Sequence, residues 1–249
     1  MSLMTGIVAA SGVLLLAVII RYLTKPNEYP PVDLSEIDRD RLFEEGERLL
    51  QDSESWSPES TDLSVTLASS LEPFPVRAIR YQVEVEADFD DVIACVRGLS
   101  YCPVLRRETK DKIEEMLYEK STGGTRHEWI RRSVHLSPPP GANRDAVVVY
   151  FEERPDAKTY RVAFRSVDSI DGKPIPPFEG AARFMVNPAI YKAVETAPGR
   201  SRIIKVEAVD PRGWVGRLLN NYCVSFLFFR RYMFEEAKAM RDALGGGPA

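Results

Sequence analysis

Apolar and polar positions change their period several times along this chain, and each change marks an element. Residues 1–20, "MSLMTGIVAASGVLLLAVII", carry no charged side chain. A helix of that length rises about 30 Å, enough to cross the hydrocarbon core of a bilayer. Next, "DLSEIDRDRLFEEGERLLQD" places Leu34, Ile37, Leu42, Leu49 and Leu50 roughly along one face. It predicts an amphipathic helix started by Asp33 or by the capping-box-like pair Ser35 and Asp38. "SESWSPESTD" breaks that helix, with Trp56 expected to tuck into the core. "VRAIRYQVEVEAD" then alternates through Ile79, Tyr81, Val83 and Val85, a strand with one wet face, whereas "FDDVIACVRGL" returns to helical spacing.

Six short strands are predicted after that, in "KIEEMLYEKS", "TRHEWIRRSV", "RDAVVVYFEE", "TYRVAFRSVDSI", "GAARFMVN" and "SRIIKVEAVD", separated by turn-rich pieces such as "STGG", "SPPPGAN" and "DGKPIPP". The expected arrangement is an antiparallel meander. The last element, from Pro211 to the "GGG" stop, repeats Val215, Leu218, Leu219, Tyr222, Phe226, Phe229, Met233, Ala237 and Met240 at helical spacing, a long helix with one broad apolar face.

Composition adds limits. With 249 residues, 44% hydrophobic, the chain can bury one substantial core; a net charge of -4 without a basic stripe excludes a phosphate backbone, so no nucleic-acid partner is expected. The three cysteines form no CxxC pair, and His127 and His135 lack ligands at metal spacing, so neither a metal nor another cofactor is expected. Arg21 and Lys25 follow the apolar run rather than precede it. That placement favours an uncleaved single-pass anchor with the rest of the chain in the cytosol, as in the endoplasmic reticulum or another organelle membrane. The expected organisation is an anchor over 1–24, a proline-containing linker over 25–33, one folded domain over 34–244 and a flexible tail over 245–249.

Several landmarks stand in an informative order: Trp56, the strand-to-helix entry "YQVEVEADFDDVIACV", Arg144-Asp145 opening a strand, Ser166-Val167 ending the next, Arg183 in "GAARF", and Asp210-Pro211-x-Gly213 before the last helix. Over residues 36–244 the chain resembles the START (steroidogenic acute regulatory protein-related lipid transfer) family. The resemblance implies an α+β helix-grip fold, a curved antiparallel sheet around a lipid cavity closed by a long C-terminal helix. It departs from the family where many members carry Trp-Asp after the second helix; this chain has "YCPVLRRE".

By that resemblance the chain binds one phospholipid or sterol and passes it between membranes, with no protein partner identified. A lipid sensor or scaffold is the alternative, and a helix-grip cyclase or hydrolase a third reading. No catalytic set of nucleophile, base and orienting group is visible. Arg144 is the candidate polar contact at the cavity's end, with Glu115 or Glu119 as its acidic partner; an ordinary strand-start arginine paired with Asp145 is the competing reading. Ala146, Val148 and Tyr150 share the Arg144 face by alternation and would line the wall. Trp129 is either a cavity aromatic or a core tryptophan, and Arg183 either meets ligand or braces the loop "DGKPIPPFEG". Tyr222, Phe226 and Phe229 would line the cavity from the last helix. Pro176 and Phe178 mark a candidate gate, against an inert surface loop, and Phe228 a candidate membrane contact.

Overall fold

Asp33 decides where the N-terminal helix begins. Its Oδ1 accepts the Ser35 N–H at 2.9 Å and Glu36 reaches back toward the Asp33 N–H at 3.5 Å, a capping box around a short 3-10 turn, Leu34–Glu36. A second start follows: the Asp38 carboxylate accepts the Arg41 N–H at 3.1 Å and opens helix α1, Arg39–Gln51. The single helix expected from the sequence is therefore a turn and a helix, each with its own acidic cap. The structure, a computed structural model, describes residues 30–51, 57–62, 65–70, 78–98, 112–121, 126–135, 143–210 and 223–245. The apolar stretch 1–20 and Trp56 lie outside the described residues; among those described, no helix is long and apolar enough to cross a membrane.

The strands are β1 Ser57–Asp62, β2 Val65–Ser70, β3 Ala78–Val85, β4 Lys112–Ser121, β5 Arg126–His135, β6 Asn143–Asp156, β7 Thr159–Ser166, β8 Ser169–Ile170, β9 Lys173–Pro174, β10 Ala181–Arg183, β11 Met185–Val186, β12 Ala189–Ala197, β13 Arg200–Glu207 and β14 Val209–Asp210. Two further helices are α2, Phe89–Gly98, and α3, Cys223–Ala243. The main sheet runs in the order β1-β2-β3-β13-β12-β7-β6-β5-β4, with β10 added beside β6.

Three features correct the expected meander. β1 and β2 form a hairpin in a stretch with no strand expectation, β12 is an additional strand at the centre of the sheet, and β10 pairs with β6 in parallel. β12 escapes a period-two reading because Ala189, Ile190 and Tyr191 in succession are buried, so both its faces are covered. The β12–β13 turn is tight, with Gly199 at φ 71.

Each face of the sheet carries its own core. On the outer face α1 covers Val147, Val149, Phe151, Ala163 and Ile190 with Leu42, Phe43 and Leu49. The helix approaches so closely that a Cβ on Gly46 would stand 2.8 Å from the Ile190 side chain, which explains a glycine in a helix interior. On the inner face lie α2, through Phe89, Val92, Ile93 and Val96, and the second half of α3, through Met233, Ala237 and Met240. The α3 end sits by the end of β3, since a Cβ on Gly245 would lie 3.7 Å from the Glu86 carbonyl oxygen.

Candidate functional site

Strand register places aromatic side chains in a line across the inner face. Trp129 on β5 stands opposite Tyr150 on β6, which stands opposite Phe164 on β7. Their rings stack at 5.2 Å and 6°, then 5.3 Å and 20°; Phe164 continues to Tyr191 on β12 at 5.6 Å and 25°. Tyr191 in turn stands opposite Lys205 on β13, and Lys205 opposite Tyr81 on β3. Lys205 Nζ rests 4.8 Å from the Tyr191 ring centroid. A belt thus crosses six neighbouring strands of the sheet.

Helix α3 is fastened to one end of this belt. Tyr81 and Tyr191 both donate to Glu236 Oε1, at 2.9 and 2.5 Å, and Lys205 Nζ lies 3.0 Å from Glu236 Oε2 and 2.6 Å from Glu207. Glu236 is only 2% exposed, and two tyrosine hydroxyls and the Lys205 ammonium surround its carboxylate. Burial, reinforced by the Glu236 charge, pushes the hydroxyls of Tyr81 and Tyr191 well above the ordinary tyrosine range.

On the α2 side of the belt the inner face is packed core: Tyr160, Val162, Ala193 and Ile203 meet α2. The one carboxylate there, Glu152, is held by Arg97 Nε at 2.8 Å and by the Tyr160 hydroxyl at 2.7 Å. Burial and that carboxylate raise the Tyr160 hydroxyl as well. On the other side lie smaller residues, Ala146, Val148 and Ser166, and one permanent charge, Arg131. Arg131 is 2% exposed, with its guanidinium carbon 5.9 Å from the Tyr150 ring centroid. Trp129, 5% exposed, has an indole N–H that finds no acceptor among the described residues. Glu114, opposite Ser133, shares the Arg131 face and has both carboxylate oxygens buried.

The candidates named from the sequence fall into different places. Ala146, Val148, Tyr150 and Trp129 come together on the inner face. Arg144 shares that face by alternation at the start of β6; it is half-buried, burial lowers its pKa, and it donates to the Asn143 carbonyl at 3.3 Å. Neither acidic residue proposed for it is beside it. Glu115 pairs with Arg132 at 3.1 Å on the opposite face, and Glu119 pairs with His127 at 3.0 Å. Glu119 stands opposite Trp129, whereas Arg144 stands opposite His135, about 20 Å further along β5.

Arg183 and the proline loop lie on the outer face. Asp145, fully buried, accepts Arg183 Nε–H at 3.0 Å and the Phe178 N–H at 2.9 Å on Oδ2. Arg183 donates to the carbonyls of Ile175 and Pro176 at 3.1 and 3.2 Å, and Arg132 donates to the Pro176 carbonyl at 2.8 Å. Pro176 and Phe178 are therefore held in a charged clasp, and Arg183 braces it rather than facing the belt. Tyr222 lies outside the described residues. Phe226, Phe228 and Phe229 fall in the first two turns of α3, and their side chains lie outside them too.

Arg131, Glu114 and the Lys205–Glu236 cluster escaped sequence reasoning. One signal was available for Arg131: Trp129 and Arg131 share parity on a strand whose intervening Ile130 faces the outer core. Lys205 follows Ile203 by the same rule.

No family model and no curated protein matches the chain. Solved structures do. Human StAR-related lipid transfer protein 5 superposes with a TM-score of 0.65 at 18% identity, covering 83% of this chain and 94% of that one. Human STARD10 gives 0.63 at 16% identity, covering 87% and 82%. A STAR-related lipid transfer protein fragment from Xanthomonas axonopodis gives 0.56 at 22% identity, covering 77% and 99%. The fold is the helix-grip fold of those proteins, a curved antiparallel sheet with a long C-terminal helix.

Proposed function

We propose that the chain binds one lipid against the Arg131 side of the inner face and carries it between membranes while its N-terminal segment 1–20 holds it to one of them. The observation that carries this reading is a buried cation beside an indole donor on an otherwise apolar wall, Arg131 and Trp129 among Ala146, Val148 and Tyr150. Lipid sites need that composition, extended apolar surface with very few oriented polar groups. Arg131 keeps its charge when buried, so its surroundings must supply acceptors. Glu114 shares its face, and a lipid phosphate, carbonyl or hydroxyl would add a further acceptor. Arg144, half-buried at the end of β6, stands at the rim.

The fold shared with proteins named as lipid transfer proteins supports the same reading, and we read this chain too as a carrier rather than an enzyme. Phospholipid and sterol both meet the chemistry: a phosphate would engage Arg131 directly, while a hydroxyl would sit between Arg131 and Glu114. Under this reading the domain lies on the cytosolic side, and a short linker would confine its reach to close contacts.

The test is native mass spectrometry and lipid extraction on the full chain expressed in a eukaryotic cell. The expected result is one lipid per chain, with occupancy lost in Arg131→Ala although its circular dichroism is unchanged. A protein that comes empty from cellular membranes overturns the reading. Vesicle-to-vesicle transfer by the loaded chain then separates transport from retention.

A further inference from the structure

We infer that the stacked rings Trp129, Tyr150, Phe164 and Tyr191 form a floor: ligand occupies only the Arg131 side of the inner face, and the rings set how long a ligand is accepted. The inference rests on the lipid-binding reading and adds a boundary to it. Neighbouring ring centroids stand 5.2, 5.3 and 5.6 Å apart, in offset stacks. An alkyl chain threaded between two of them needs carbon–carbon separations of about 3.5–4 Å on each side, which such stacks do not leave.

Beyond the floor the structure is already committed. Tyr160, Val162 and Ala193 share a buried core cluster with α2, and at the floor itself Glu236 ties the second half of α3 down to Tyr81, Tyr191 and Lys205. Before the floor the small side chains of Ala146, Val148 and Ser166 stand beside Arg131 and Glu114, and Arg144 lies half-buried at the end of β6. From Tyr150 to Arg144 along β6 is about 20 Å, which is the depth left for a ligand.

Two buried alanines, one on each side, make the test. Ala146 on β6 lies on the ligand side, and Ala193 on β12 lies beyond Tyr191. The full chain is loaded by expression in a eukaryotic cell, and the copurifying lipid is counted per folded chain by native mass spectrometry at limiting lipid. Ala146→Leu is expected to lower occupancy roughly tenfold, the effect of forcing methylenes into occupied space. Ala193→Leu lowers the melting temperature while occupancy per folded chain stays within about twofold, a shift too small to reflect direct overlap with ligand. Ala193→Val replaces it where the larger side chain prevents folding. Phe164→Ala, or Phe164→Leu should alanine not fold, shifts the copurifying lipids toward longer species. The floor is overturned if the Ala193 variant loses as much lipid as Ala146→Leu, or if the Phe164 variants retain the wild-type lipid lengths. A wild-type chain that copurifies empty overturns the lipid reading itself, and the floor with it.

Discussion

The inner face of the sheet has two ends built on opposite terms, although the same strands supply both. On the α2 side Arg97 and the Tyr160 hydroxyl both meet Glu152, and on the belt Lys205 meets Glu207 and Glu236 while Tyr81 and Tyr191 donate to Glu236. Toward the other end a 2% exposed arginine, Arg131, shares its face with Glu114, Ala146 and Val148. A buried ionic cluster that satisfies itself fixes the position of a helix; under the proposed reading Arg131 instead orients a ligand.

The largest effect should come from the cluster. Glu236→Ala leaves Lys205 and two tyrosine hydroxyls buried without their shared acceptor, and is expected to destabilise the fold by about 3–5 kcal/mol, read as a shift in the denaturation midpoint. Loss of that order with the bound lipid unchanged in the surviving folded fraction would sharpen the division. An unaltered midpoint would break it.

A smaller effect follows from the tyrosines. Their folded pKa values lie above the unfolded value near 10.0, so the stability they contribute is complete below about pH 10 and is lost as pH rises beyond it. Tyr81→Phe with Tyr191→Phe should cost about 1 kcal/mol per lost hydrogen bond at neutral pH. The alkaline fall in midpoint, followed by thermal unfolding across a pH series, should become shallower, with Tyr160 keeping part of it. An identical alkaline profile would place the tyrosines outside the pH response.

Smallest of all is Glu115→Ala. Its partner Arg132 retains Asp145 and the Pro176 carbonyl, and Glu115 is exposed, so the change should cost about 0–1 kcal/mol and leave lipid occupancy untouched. Lipid loss in this variant would move the polar contact to the outer face.

Much of the frame was legible in the sequence because the relevant periods are local. β3 alternates through Ile79, Tyr81, Val83 and Val85 as one buried row, and α2 buries the residues its spacing selects. Ala146, Val148 and Tyr150 share a face for the same reason. What could not be read depends on contacts far apart in the chain. Glu236 lies 31 residues beyond Lys205, and no local pattern distinguishes that glutamate from its solvated neighbours on α3. Arg131 stands in "RHEWIRR", where four charged side chains suggest water. Asp145 and Arg144 look like one pair in sequence, yet strand alternation sends them to opposite faces, one into the outer clasp and one toward the belt.

The most direct measurement of where the lipid lies is photocrosslinking with a diazirine-bearing phosphatidylcholine or cholesterol analogue, exchanged into the full chain and mapped by peptide mass spectrometry. Crosslinks on β6 at Ala146 and Val148 and on β5 at Arg131, competed by unlabelled lipid and absent from Tyr160 and Ala193, are what this account predicts. Competed crosslinks at Tyr160 and Ala193, or only on the outer face around Asp145 and Phe178, would contradict it.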